Sequence, residues 1–325
     1  MLLNLHSHLE GRVRPDTAAE LAAGLGVPTP TSGWERALMP DGPADLTTFL
    51  GKVASTYPFF ADDDALARIT CEAVEDAAAA GEHYLELRFG PATHAGGDGA
   101  TDRRLDQVVA AACAGAREGT RRSGTAAGIV VAALRLHGTD LNERVARSAA
   151  RHAGAGVVGF DLAGDEQRFP ELERYTAAFA IARAAGLGLT CHAAEAAPAA
   201  AALEAVDRFG VTRIGHGARV VDDPAVLREL AARGVVIEVC PTSNLFTGAI
   251  ADLADHPAPA FRDAGVRLVV GDDNPRQTGT TVRDEHAVLR ERLGFTLADL
   301  ADVERTGLEV AFLEPSVRAA LAATA

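Results

Sequence analysis

His6 and His8 stand one residue apart in the apolar N-terminal run Leu2-Leu3-Asn4-Leu5-His6-Ser7-His8. Alternate side chains of a β-strand share a face, so both imidazoles can reach one ion. Alone, a His-x-His pair is a modest signal, because two histidines near a strand end need no metal. Three further segments carry groups of the same kind: His192 in Thr190-Cys191-His192-Ala193-Ala194-Glu195, His216 in Ile214-Gly215-His216-Gly217, and carboxylates in Asp272-Asp273-Asn274-Pro275. Three imidazoles and one carboxylate suit Zn2+, which lowers the pKa of a bound water to about 7. Glu195, three residues beyond His192, can face the same cavity without being a ligand and is a candidate proton shuttle. The chemistry indicated is metal-assisted hydrolysis. His83, His94, His137, His152, His256 and His286 show no partner pattern and read as surface or loop residues.

Groups so distant in sequence meet only if the fold gathers strand ends. Short runs rich in Val, Ile and Leu recur, separated by longer segments of helical periodicity, which is the βαβ pattern. The expected strands are 2–8, 84–89, 129–136, 157–162, 187–192, 213–216, 235–239 and 267–271. Helices are expected at 16–25, 105–122, 172–185, 198–209 and 224–233, several opened by Asp or Pro and closed by Gly. Eight strands favour a closed (β/α)8 barrel of TIM type, whose active site lies at the C-terminal strand ends. His6, His8, His192, His216 and the Asp272-Asp273 pair all fall there. The first connection, residues 10–83, is an exception: it holds two or three helical segments and the stretch Met39-Pro40-Asp41-Gly42-Pro43. It reads as a helical insertion after the first strand, a lid or substrate-binding element. Helices continue after Thr280 to Ala323 without a linker, so residues 1–325 read as one domain.

The 325 residues are 48% hydrophobic and 23% charged, enough for a sizeable core. With 45 acidic against 31 basic residues the net charge is −14, which disfavours nucleic acid and anionic membrane as partners and suits a small neutral or cationic ligand. Cys71, Cys113, Cys191 and Cys240 form no Cys-x-x-Cys pair and read as structural thiols of a reducing compartment. No apolar run approaches a membrane span and no signal peptide is legible, so a cytoplasmic location is expected.

Over nearly its whole length the chain resembles the adenosine deaminase family of metal-dependent hydrolases. The matching segments are His6 to Gly11, Glu86 to Pro91, Gly159 to Glu166, His192 to Glu195, Gly215 to Gly217, Glu238 to Asn244 and Asp272 to Asn274. The resemblance implies one zinc per chain on His6, His8, His192 and Asp273. It implies that Glu195 serves purine N1, that His216 orients the attacking water and steadies its charge, and that the Gly164 amide faces purine N3. A metal-activated water would add to C6 while Glu195 protonates N1, and ammonia would leave.

The chain departs from the family's pattern in three places. Two registers are open for the closing carboxylates, and Pro275 with Gly279-Thr280-Thr281 favours Asp273-Asn274, which puts an amide where a carboxylate usually meets purine N7. Ala194 replaces a usual Gly. Glu10 replaces the Asp expected at the sugar 5′-hydroxyl, as adenine deaminases do, whereas segments 86–91 and 161–166 look like the nucleoside enzymes. The expected activity is deamination of adenosine or a closely related 6-aminopurine nucleoside, with Glu10, Gly164 and Asn274 as substrate contacts. The alternatives are free adenine, a modified nucleoside such as aminodeoxyfutalosine, a related hydrolase acting on another ring or an amide, or a non-catalytic purine-binding relative.

Overall fold

Strands apolar at nearly every position, rather than at alternate ones, must be covered on both faces, as in a parallel sheet wrapped by helices. The computed structural model, which describes residues 1–60 and 62–323, shows that arrangement; Ala61, Thr324 and Ala325, within the ranges read above, lie outside the described residues. Eight parallel strands pair in sequence order: β1 Leu3–His8, β2 Tyr84–Phe89, β3 Ala126–Leu134, β4 Val157–Ala163, β5 Gly188–Ala193, β6 Arg213–His216, β7 Val236–Val239 and β8 Arg267–Val270. A bridge between Ser7 and Asp273 joins the last strand to the first, with His8 N–H donating to Asp273 C=O at 2.6 Å and Asp273 N–H to His6 C=O at 2.9 Å. The result is the (β/α)8 barrel, and its seam runs through two of the histidines and the aspartate of interest.

Predicted and observed strands agree to within about three residues. The helix expected at 172–185 starts later, at Thr176, after a short 3-10 turn at Glu173–Tyr175. The first connection holds four α-helices rather than two or three: Pro15–Leu25, Gly33–Ala37, Leu46–Ala54 and Asp63–Ala79. Asp45 and Asp62 side chains accept backbone N–H groups and start the last two. After β8 come Val282–Glu291, Leu297–Val310 and Pro315–Ala322, the first two opened by Thr/Asp capping boxes.

Phe312 lies beneath the barrel. A Cβ at Gly188 would approach its ring to 2.1 Å and one at Gly159 to 2.6 Å, so these strand glycines make room for it. The Arg213 guanidinium sits 3.6 Å from the ring centroid on the inner side. The opposite end, at the C-termini of the strands, opens into a cavity. Among the described residues no helix is long and apolar enough to cross a membrane.

Candidate active site

The ligating atoms of His6, His192, His216 and Asp273 all lie within 4.8 Å of one another, and all four residues are buried. His8 is not in that mutual set, yet its Nε2 is 3.2 Å from both His192 Nε2 and Asp273 Oδ1. His6 Nε2 faces Asp273 Oδ1 at 3.5 Å. Five side chains read from the sequence therefore converge on one spot. Asp273 is the member of the acidic pair that reaches it, because its backbone is held in the seam. Asp272 turns away to Arg12 Nη2 at 2.6 Å.

Whether the cluster suits a cation is decided by the atoms behind it. His6 Nδ1 lies 2.7 Å from Glu238 Oε2, and His192 Nδ1 lies 3.0 Å from Asp161 Oδ2. A carboxylate there accepts a hydrogen bond from Nδ1–H and so keeps the ring proton on Nδ1, leaving each Nε2 with a lone pair aimed at the cluster. His6 Nε2 is buried with no hydrogen-bond partner. Burial and nearby Arg88 disfavour positive charge on His6, yet hydrogen bonds with Asp273 and Glu238 outweigh them and raise its pKa. An orphaned imidazole nitrogen beside a carboxylate, with further imidazoles around it, fits a divalent metal.

Arg88 ties the two backing carboxylates together, donating to Asp161 Oδ2 at 3.0 Å and Glu238 Oε2 at 2.9 Å. Glu238 also meets Arg213 Nε at 2.7 Å and Thr190 Oγ1 at 2.8 Å, and Arg213 is paired in turn with Glu86. All these charged side chains are fully buried.

Glu195 lies just past β5. The N–H groups of Glu195, Ala196 and Ala197 donate to Glu166 Oε2 at 2.8 to 3.1 Å, shaping the turn that presents its side chain. Its Oε1 accepts from Thr247 Oγ1 at 3.0 Å and its Oε2 is 3.8 Å from His216 Nε2. Burial, then the charges of Asp273 and Glu166, push its pKa well above the ordinary carboxyl value. Such surroundings favour the protonated form of the carboxyl.

These groups open onto a cavity of about 370 Å³ that also meets Glu10, Gly164 and Asn274. Much of its wall is apolar, from Leu46, Phe49, Leu50 and Val53 of the first connection and Leu134 of β3. Asn274 Nδ2 donates to Asp273 Oδ1 at 2.9 Å. Gly11 packs so closely that a Cβ would lie 2.6 Å from Asn274 Cα. Glu10 Oε1 accepts from the Gly90 N–H at 3.2 Å and meets His94 Nε2 at 3.0 Å. Burial opposes ionisation of Glu10, but the His94 hydrogen bond and charge outweigh it and lower its pKa.

His94, His137 and His256, read as surface or loop residues, are buried instead. His94 stacks among Tyr57, Phe60 and Phe89 behind Glu10, and His256 backs Asn244, which meets His216. Ser243, which donates to Asp273 Oδ2, and Thr247 carried no signal of their own. Arg88, Asp161 and Glu238 did carry one, since a charge in the middle of a buried strand demands a partner.

The family profile described as adenosine deaminase matches residues 2–324. An adenosine deaminase of Erwinia tasmaniensis is 35% identical over 99% of this chain and 97% of its own length. One of Escherichia coli is 34% identical over 98% and 96%. Among solved structures, an adenine deaminase from Arthrobacter aurescens superposes with a TM-score of 0.88 at 26% identity, covering 98% of this chain and 96% of that one. An amidohydrolase from Burkholderia ambifaria with bound zinc gives 0.89 at 26% identity, covering 99% and 88%. A full-length match, joined to a barrel that gathers imidazoles, a carboxylate and Glu195 at its mouth, places the chain in the adenosine deaminase family of metal-dependent hydrolases.

Proposed function

We propose that the chain hydrolyses the 6-amino group of adenosine, or of a closely related 6-aminopurine nucleoside, giving the inosine-type product and ammonia. The observation that carries this reading is Glu195, a buried carboxyl whose pKa is raised and which faces the cavity beside the imidazole cluster. Water can add at C6 only if the ring accepts an electron pair, and a proton delivered to N1 lets it do so. A carboxyl whose surroundings favour its protonated form is suited to that delivery. Of the two protons of the water, one leaves with the amino group as ammonia and the other restores Glu195, while the oxygen stays on C6.

We assign His6, His8, His192 and Asp273 as ligands of one zinc per chain; bound zinc supplies a water acidified to near neutrality. Asp273 accepts a hydrogen bond or proton from the attacking water, while the Ser243 hydroxyl holds its other oxygen. His216 steadies the charge that develops on the reacting oxygen. Glu10, Gly164 and Asn274 bind the substrate from the cavity wall. Four buried free cysteines and a net charge of −14 fit a cytoplasmic protein that acts on a small purine rather than on nucleic acid or membrane.

Free adenine is the second reading, favoured by one observation: Glu10 is long enough to reach the Gly90 N–H and His94, filling space where a sugar would lie. Ammonia release from adenine, adenosine, 2′-deoxyadenosine and 5′-modified analogues by the zinc-loaded protein separates the two. Turnover of adenosine above adenine supports the first reading, the reverse order supports the second, and no release from any of them overturns both. Glu195→Gln is expected to keep its metal yet lose about 10²-fold or more in kcat; near-normal turnover refutes the proton-delivery role.

A further inference from the structure

His216 reaches the cavity through Nε2, and what that nitrogen can do depends on whether it carries the ring proton. We propose that Asn244 and His256 are positioning residues that lock His216 in the Nε2–H tautomer, so that it meets the reacting oxygen as a hydrogen-bond donor. The catalytic clause rests on the deaminase reading above; the tautomer itself does not.

A backbone N–H, which cannot invert its role, fixes the tautomer of His256. The backbone N–H of Ala258 donates to His256 Nδ1 at 3.1 Å. An imidazole nitrogen that accepts has no proton, so in the neutral ring of His256 the proton is on Nε2. Burial favours that neutral ring, pushing its pKa down to about 3. His256 Nε2 lies 3.1 Å from Asn244 Oδ1, so the amide carbonyl accepts and the amide nitrogen must point the other way. There it lies 3.1 Å from His216 Nδ1 and donates to it. His216 Nδ1 is therefore an acceptor, and the ring proton sits on Nε2. Each step leaves a single donor–acceptor choice, and His256, Asn244 and His216 are all buried, so water cannot substitute for a partner.

The neighbouring histidines are backed differently. The rings of His6 and His192 lie 4.7 and 5.1 Å from that of His216, centroid to centroid. Behind those two stand carboxylates, which draw the proton to Nδ1 and free Nε2 for a cation. Behind His216 stands an amide N–H, which does the opposite. Three clustered histidines thus receive two tautomers from their second partners: a lone pair on Nε2 for His6 and His192, and an N–H on Nε2 for His216.

The test uses zinc-loaded protein labelled with 15N-histidine, the His216 signals being assigned by their loss in His216→Asn. Two-bond proton–nitrogen correlations are expected to show Nε2 protonated and Nδ1 bare in the unsubstituted protein. Finding Nδ1 protonated, or both nitrogens, overturns the relay whether or not any substrate turns over. In His256→Phe the Asn244 amide is free to turn, so a tautomer mixture is expected, with kcat lower by roughly 10- to 100-fold and KM little changed. His256→Gln, which keeps an N–H at the height of Nε2, should recover most of kcat. A folded His256→Phe with an unaltered His216 signal and kcat also overturns the proposal; if that variant does not fold, the unsubstituted spectrum and His256→Gln decide. A panel in which no 6-aminopurine is deaminated, together with the expected spectrum, sinks the deaminase reading and leaves the relay standing.

Discussion

Among the described residues, Ala194 (φ 54°), His216 (φ 62°) and Asp273 (φ 57°) are the ones with a side chain that adopt left-handed backbone, and all three lie at strand ends beside the cavity. Such backbone costs roughly 1–2 kcal/mol per residue, so the surrounding contacts must hold it. At Ala194 the family's usual Gly would take this φ without that cost, so the departure seen in the sequence is also a point of strain. The histidines and Glu195 were legible because their spacing from strand ends is regular. The backing carboxylates fell inside matching segments and stood out as charges in apolar strands, but no sequence pattern says that Asp161 meets His192 and Glu238 meets His6. His94 and His256 were misread for the same reason: their burial depends on elements remote in sequence. Asp161→Asn keeps the size of the side chain but removes the charge that draws the His192 proton to Nδ1. A metal affinity weaker by about 10- to 100-fold is expected, read by competition with a chromogenic chelator. An unchanged affinity would show that Asp161 does not set the tautomer of His192.

At the scale of elements, strand order and helix placement follow from the period of the apolar residues, and the structure departs from them mainly at boundaries. The first connection was harder to read, because its short helices are fixed by contacts with the barrel rather than by their own periodicity. The helix Leu46–Ala54 lends apolar side chains to the cavity and is fastened across its mouth. Thr47 Oγ1 donates to Asp165 Oδ2 at 2.7 Å, and Ala44 N–H to Phe246 C=O at 3.0 Å. We read this segment as a cover over the substrate, with the Thr47–Asp165 bond as one of its latches. Thr47→Val keeps the shape and removes the latch. KM is expected to rise roughly two- to tenfold with a smaller change in kcat, the size of one hydrogen bond. Steady-state kinetics on the best substrate of the panel would check it, and an unaltered KM would mean the bond does not hold the cover.

Across the whole molecule, buried charge forms a column along the barrel axis. It runs from the Phe312 ring through Arg213, Glu86, Glu238, Arg88 and Asp161 to the imidazole cluster. Three carboxylates against two guanidiniums leave one net negative charge beneath the cluster, which complements a cation above it. Another buried acid, Glu285, outside that column, ties the C-terminal helices to the barrel mouth. Glu285, in the first turn of Val282–Glu291, accepts the Thr242 N–H at 3.1 Å and the Thr280 hydroxyl at 3.1 Å. Burial outweighs both bonds and pushes its pKa from 4.5 up to about 7. The folded chain thus binds this proton more tightly than the unfolded one. The stability contributed by Glu285 is fully present below about pH 4.5 and is lost as pH rises through about 7. Glu285→Gln mimics the protonated acid, with a carbonyl for Thr242 and an amide N–H for Thr280. It should match the unsubstituted chain near pH 4 and exceed it near pH 8 by an amount on the order of 3 kcal/mol. Paired thermal melts at those two pH values read the difference, and an equal offset at both would mean that Glu285 is ionised in the fold throughout.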